Sequence, residues 1–400
     1  MEEASRVRVS GPLAGCAPGL IGWLTDRRYQ RLPMVDHLRR LALLSRWLER
    51  DGLDPVVIDE VWIERLLAGD QQQGRALIFT RGSFRPVLDF LRSDGIVPRP
   101  ARVVTPVEVL LDGYRNYLAV DRGLVAVTIA SYERSARMFL SRACADDVGR
   151  VRRLSAGDVA RFVIDVAEGQ RASTVNTLVV GVRSLLRYCY SSGLIDTPLA
   201  QATPWLARGR VSSLPRTVAP GTADLLLDSF DRDSLVGARN FAVVKLFARL
   251  GLRVGELIAM EVDDIDWRRG EVTVRSKGGW RDPLPLPVDV GDALAAYLSR
   301  RGADAEWRHV FLHVHAPHQP MSATGVKAVI RRACARVGIA DTSTHRLRHS
   351  VAQDLLRHGA ALPEIGQVLR HRELATTAMY AKVDFTALAS LAQPWPGSGS

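Results

Sequence analysis

His345-Arg346-Leu347-Arg348-His349-Ser350 and Leu369-Arg370-His371-Arg372-Glu373-Leu374-Ala375-Thr376-Thr377-Ala378-Met379-Tyr380 are the two stretches on which the reading of this 400-residue chain turns. In the first, His345 and Arg348 lie three residues apart, so one helix face carries an imidazole and a guanidinium together. In the second, an apolar helical stretch with Ile365 and Val368 gives way to His371, and Tyr380 stands nine residues beyond it. Singly, each has an ordinary explanation: a basic helix surface, a capping histidine, a tyrosine packed in a core. Their order is more informative, because two further reactive residues precede them. Arg253 sits in Gly251-Leu252-Arg253-Val254-Gly255-Glu256-Leu257, just past a helix end that Gly251 closes. Lys277 sits in the turn Lys277-Gly278-Gly279-Trp280.

Working outward, Glu271 to Arg275 alternates with the period of a strand. Arg281 to Leu286 reads as its returning partner, with prolines that suit an edge. Helical spacing flanks this hairpin from Thr222 and again from Val288. Upstream, Thr105-Pro106-Val107-Glu108 is a capping box with proline at the first helical position. A helix near Thr128 carries Tyr132, Phe139 and Leu140, and Ser155-Ala156-Gly157-Asp158 opens another. Leu178, Val182, Leu185, Leu186 and Cys189 form one stripe ending at Gly193. In the first hundred residues, Leu38, Leu41, Leu44 and Leu48, then Val87, Leu88 and Leu91, recur at helical spacing.

The expected fold class is therefore mainly α with a small antiparallel sheet (α+β). The expected division is an N-terminal helical region over 1–103, a helical module over 104–205, a linker over 206–220, a domain over 221–396 holding the reactive residues, and a flexible tail at 397–400. Leu88 to Ile96 parallels Leu186 to Leu194 at an offset of 98 residues, which suggests a degenerate duplication of one helical module.

Formal net charge is +11, which favours a polyanionic partner, and arginine dominates the cations, which suits bidentate contact with phosphate. Hydrophobic residues make up 47 %, enough for real cores, yet no apolar run reaches the roughly 18 residues of a membrane span. Met1-Glu2-Glu3 lacks the form of a signal peptide, so a cytoplasmic protein is expected. Cys16, Cys144, Cys189 and Cys334 are scattered, without metal-ligand or disulfide spacing. Asp263, Asp264 and Asp266 are crowded, but no further ligands accompany them, so no metal and no cofactor is expected. No phosphate-binding glycine loop of the ATPase kind is present.

The ordered set Arg253, Lys277, His345-x-x-Arg348, His371 and Tyr380 resembles the tyrosine recombinase (phage integrase) family, over roughly Val104 to Val383. The resemblance implies a helical core-binding domain and a catalytic domain that together clamp double-stranded DNA. It implies Tyr380 as nucleophile, Arg253 and Arg348 on the scissile phosphate, and His345 as proton acceptor. His371 would bond the phosphate, and Lys277 would be general acid for the 5′-oxygen. Glu256 would orient His345, and His349 would have a supporting part. It also implies four protomers on two DNA sites, with sister recombinases or accessory proteins as further partners. Arg208, Arg210 and Arg216 in the linker, and Arg281 beside the hairpin turn, are candidate DNA contacts. The first region is more than short chromosome-dimer resolvases carry, which points to a mobile-element integrase or transposase, with residues 1–103 a duplicated core-binding-like or an arm-binding module. Two other readings share these residues: a type IB topoisomerase-like enzyme, and a DNA-binding subunit inactive without sister proteins. One departure stands out. The family commonly has glycine where this chain has Arg370, and a left-handed helix end there would be strained.

Overall fold

The computed structural model describes residues 7–72, 79–99, 104–205, 217–275, 280–302, 307–371 and 377. Its contacts divide the chain into two units. One is built from residues 99–212; the other joins the first 98 residues to those from 213 onward.

The N-terminal helices are α1 (Ala17–Asp26), α2 (Arg31–Asp51), α3 (Glu60–Gln72) and α4 (Arg85–Ser93). The α2 leucines at 38, 41, 44 and 48 are all at most 1 % exposed and pack with Trp47, Trp62 and Phe84 in a core of their own. Gly52 ends α2 at φ 63°.

The 99–212 unit holds α5 (Pro106–Ala119), α6 (Ala126–Cys144), α7 (Val148–Val151), α8 (Ala156–Ala167) and α9 (Ala172–Ser191). Thr105 Oγ1 accepts the Glu108 N–H at 3.2 Å, fixing the start of α5. Ser155 and Asp158 form a complete capping box on α8. The α9 stripe is buried throughout, and Phe139 of α6 meets Phe162 of α8 edge-on at 5.0 Å. The chain ends of α4 and α9 match bond for bond at the 98-residue offset. Ile96 and Val97 N–H donate to Leu91 C=O at 3.0 and 3.2 Å, and Leu194 and Ile195 N–H donate to Cys189 C=O at 2.8 and 3.2 Å. Gly95 and Gly193 supply the left-handed turn in each, at φ 75° and 70°.

From residue 217 the order is α10 (Thr222–Asp228), α11 (Leu235–Leu250), α12 (Val254–Ile258), β1 (Ile265–Asp266), β2 (Glu271–Arg275), β3 (Arg281–Pro285), α13 (Val288–Arg301), α14 (Ala323–Arg336), α15 (Thr344–Arg357) and α16 (Leu362–Val368). The strands form one antiparallel sheet in the order β1-β2-β3, with Val272 opposite Leu284 and Val274 opposite Asp282. Val272 and Val274 face the core at 0 % and 1 % exposure, as the alternation requires. Pro283 and Pro285 fall on the edge strand, where a missing N–H interrupts no further ladder. The two-residue β1 carries too short a pattern to be seen in sequence. Helix α11 runs through this core, packed on α13 and α15, so the point at which it ends decides where Gly251 and Arg253 stand. Among the described residues no helix is long and apolar enough to cross a membrane.

A close helix approach tests the packing of the 99–212 unit. A Cβ on Gly181 of α9 would lie 2.5 Å from Ser135 Cβ of α6. Gly181→Val is expected to force these helices apart and destabilise the unit by about 1–3 kcal/mol in urea unfolding. Gly157→Ala, whose added Cβ meets only an ordinary contact at 3.6 Å, is expected to leave the transition unmoved or slightly raised.

Candidate active site

Three helix ends build the site. Helix α11 closes at Gly251 with φ 55°, and an added Cβ there would come within 2.8 Å of Leu369 Cδ2, so both backbone and space require glycine. The chain then extends through Arg253, the N-cap of α12. Glu256 reaches back to it: its Oε2 accepts the Arg253 N–H at 2.8 Å, and its Oε1 accepts from Arg253 Nη1 at 2.6 Å. Arg348, on the inner face of α15 and 4 % exposed, donates to the carbonyls of Gly251 and Leu369. Its guanidinium thereby joins the ends of α11 and α16. Beyond Leu369 the chain reverses at Arg370, with φ 55°, and the His371 N–H bonds Gly366 C=O at 2.9 Å. His371 Nδ1 and Thr377 Oγ1 then lie 2.9 Å apart in hydrogen-bond contact.

Arg253, Glu256, His345, Arg348, His349 and His371 are thus gathered into one cluster. The histidines register it electrostatically. Burial, then the charges of Arg348 and Arg253, with His349 and Arg370 adding, push His371 down to about 4. Crowding by protein atoms, then Arg348, Lys327 and Arg253, lowers His345, although part of its ring stays exposed. Burial, then His345 and Arg348, lowers His349. All three are therefore biased toward the neutral imidazole, which can accept a proton. Beside the cluster, Arg346 Nη2 donates to Thr217 C=O at 2.9 Å, and Ser350 Oγ accepts the Val218 N–H at 2.9 Å, docking the end of the linker on α15.

Glu256, expected to orient His345, has its carboxylate bonded to two arginines. That carboxylate, 3 % exposed, bonds Arg253 and, through Oε2 at 2.9 Å, Arg370 Nη2. The arginine in the place of the usual glycine supplies the second partner. Burial raises the Glu256 carboxyl, but the Arg370 charge and the Arg253 bonds outweigh that and hold it below its ordinary value. Lys327, near enough to act on His345, had no signal in sequence, since a lone lysine on a helix carries no motif. Asp263, Asp264 and Asp266 are engaged locally, with Arg308, Arg275 and the N–H groups of Arg268 and Arg269. Arg281 opens the edge strand and is exposed. Lys277, Tyr380, Arg208, Arg210 and Arg216 lie outside the described residues.

Residues 220–387 match the phage integrase family, and residues 111–193 match the phage integrase N-terminal SAM-like domain. A protein of Sinorhizobium fredii named as an integrase/recombinase, y4rA, is 37 % identical over 97 % of this chain and 95 % of its own length. Tyrosine recombinase XerD of Mycobacterium leprae is 28 % identical over 73 % of this chain and 97 % of its own. The structure of the XerH site-specific recombinase bound to palindromic difH substrate shares the fold, with TM-score 0.57 over 86 % of this chain and 97 % of its own at 16 % identity. The chain belongs to the phage integrase family of tyrosine-type site-specific recombinases.

A histidine held near 4 in the fold, against an ordinary 6.5, binds its proton first in the unfolded chain. His371 therefore weakens the fold as pH falls through the window from 6.5 to about 4, and not above it. The thermal midpoint of the native protein is expected to drop more steeply across that window than the midpoint of His371→Asn. Equal slopes would show that the ring is not held neutral.

Proposed function

We propose that this recombinase cuts and rejoins double-stranded DNA through a covalent 3′-phosphotyrosyl link formed by Tyr380. The observation that carries the reading is the cluster in which two arginines, one buried and one 39 % exposed, stand among histidines biased toward neutrality. A guanidinium keeps its charge at any working pH and can fork onto two phosphate oxygens. Arg253 and Arg348 would stabilise the charge that builds on the nonbridging oxygens during attack.

In the cleavage step the Tyr380 oxygen bonds to phosphorus and the bond from phosphorus to the 5′-oxygen breaks. His345, neutral at working pH, takes the tyrosine proton, and Lys277 protonates the departing 5′-oxygen. His371 bonds the phosphate. A 5′-hydroxyl from a partner strand then reverses the step, so the phosphodiester energy is kept and no nucleotide is consumed. Two such exchanges pass through a Holliday junction on a tetramer of this chain bridging two DNA sites. The length of chain before the SAM-like domain supports a mobile-element integrase or transposase. Residues 1–103 would be a second DNA- or protomer-binding helical module, a view supported by the matching ends of α4 and α9.

The test is covalent trapping on a nicked suicide substrate made from the element's own ends. The native protein is expected to give a protein–DNA adduct on a denaturing gel and Tyr380→Phe none, while Arg253→Ala slows adduct formation by about a hundred- to a thousandfold. Tight binding without an adduct on cognate ends would instead mark a subunit that needs a sister recombinase.

A further inference from the structure

The residue that departs from the family pattern is bonded into the site through both its side chain and its main chain. Arg370 is held at φ 55°, a left-handed conformation that costs any residue with a Cβ, and such strain persists only where the surroundings over-determine it. Its side chain is 5 % exposed. Nη1 donates to Val368 C=O at 2.9 Å, and Nη2 donates to Glu256 Oε2 at 2.9 Å. Its own carbonyl accepts from Arg253 Nη2 at 3.0 Å. Arg253, Glu256 and Arg370 thus close a ring. The Arg253 guanidinium is gripped on one side by the carboxylate and on the other by the Arg370 main chain.

The charge count matters as much as the geometry. With glycine at this position, Arg253 and Glu256 would form a neutral pair, and an incoming phosphate would meet a cation already compensated. With Arg370, two guanidiniums face one carboxylate, and one positive charge survives. Arg370 is the buried member, so the uncompensated charge is free to be expressed at Arg253, whose side chain is 39 % exposed.

We propose that Arg370 is a positioning residue for strand cleavage, its side chain neutralising Glu256 so that Arg253, held by the main-chain carbonyl at this position, meets the scissile phosphate as a full cation. This rests on the reading of Arg253 as a phosphate ligand. It needs no contact between Arg370 and DNA.

The experiment measures single-turnover cleavage of the nicked suicide substrate and, separately, DNA affinity, for Arg370→Gly, Arg370→Lys and Tyr380→Phe in the full-length protein. Glycine relieves the left-handed strain, so Arg370→Gly is expected to stay folded and bind DNA as the native protein does. Its cleavage is expected to slow by about tenfold to a hundredfold, the scale of a misplaced catalytic group. Lysine returns the charge without the fork and is expected to recover part of the rate. Wild-type cleavage by Arg370→Gly overturns the proposal, as does a loss of rate matched by an equal loss of affinity. Should the glycine variant fail to fold, Arg370→Gln carries the same decision: slow cleavage with intact binding supports the proposal, and the native rate overturns it. Survival of the adduct in Tyr380→Phe would sink the reading of the site itself, whatever Arg370 does.

Discussion

The guanidinium of Arg348 is the interaction on which the rest of the site depends. It is buried, and a buried charge without partners is prohibitively costly. Its partners are the carbonyls of Gly251 and Leu369, the residues that close α11 and α16. Carbonyls at helix ends lack intrahelical donors and carry the negative end of the helix dipole, so they suit a cation. One side chain therefore satisfies two helix ends and pins them together. Arg253 stands two residues after the first, and His371 two residues after the second. Their proximity is a consequence of that stitch.

The same crowding sets the protonation states. Arginines cannot yield their protons, so the groups that respond are the imidazoles, and all three are lowered, first by burial and then by the neighbouring positive charges. The result is a division of labour without competition. Guanidiniums supply permanent positive charge, and neutral rings remain able to take up a proton. A cluster of lysines would divide less cleanly, because burial shifts a lysine's own pKa.

The elements were legible in sequence through periodicity, and the cluster through the order of its motifs and their resemblance to the family's. The His-x-x-Arg pair lies on one helix face by spacing alone, and the capping residues Thr105 and Ser155 mark starts that the backbone then uses. The alternation from Glu271 to Arg275 and the prolines opposite marked a strand and its edge partner, but not the short β1 that makes the first of them central. What spacing could not give was the direction of a buried side chain. Glu256 was expected to face His345, because the acidic position in the family's motif implied it. Which of several nearby cations captures a carboxylate depends on a reversal of the chain more than a hundred residues away, at Arg370. Lys327 was invisible for the same reason: its relation to His345 is set by the packing of α14, and no local pattern encodes that.

Left-handed residues sharpen the point. Glycines close α2, α4, α9 and α11, so the turn costs little there. Ala145 ends α6 at φ 51° with no functional side chain, so strain at a helix end is not by itself a mark of function. Arg370 differs in what the strained backbone accomplishes. The left-handed turn aims its carbonyl at Arg253 while its side chain runs back to Glu256, two bonds that a relaxed helix end could not make from one residue. A local rule broken with compensating contacts inside a reactive cluster is where selection on chemistry outweighs selection on stability. By that reasoning, a chain with glycine at this point has the easier fold and keeps the carbonyl that meets Arg253, and what this chain adds is the guanidinium on Glu256.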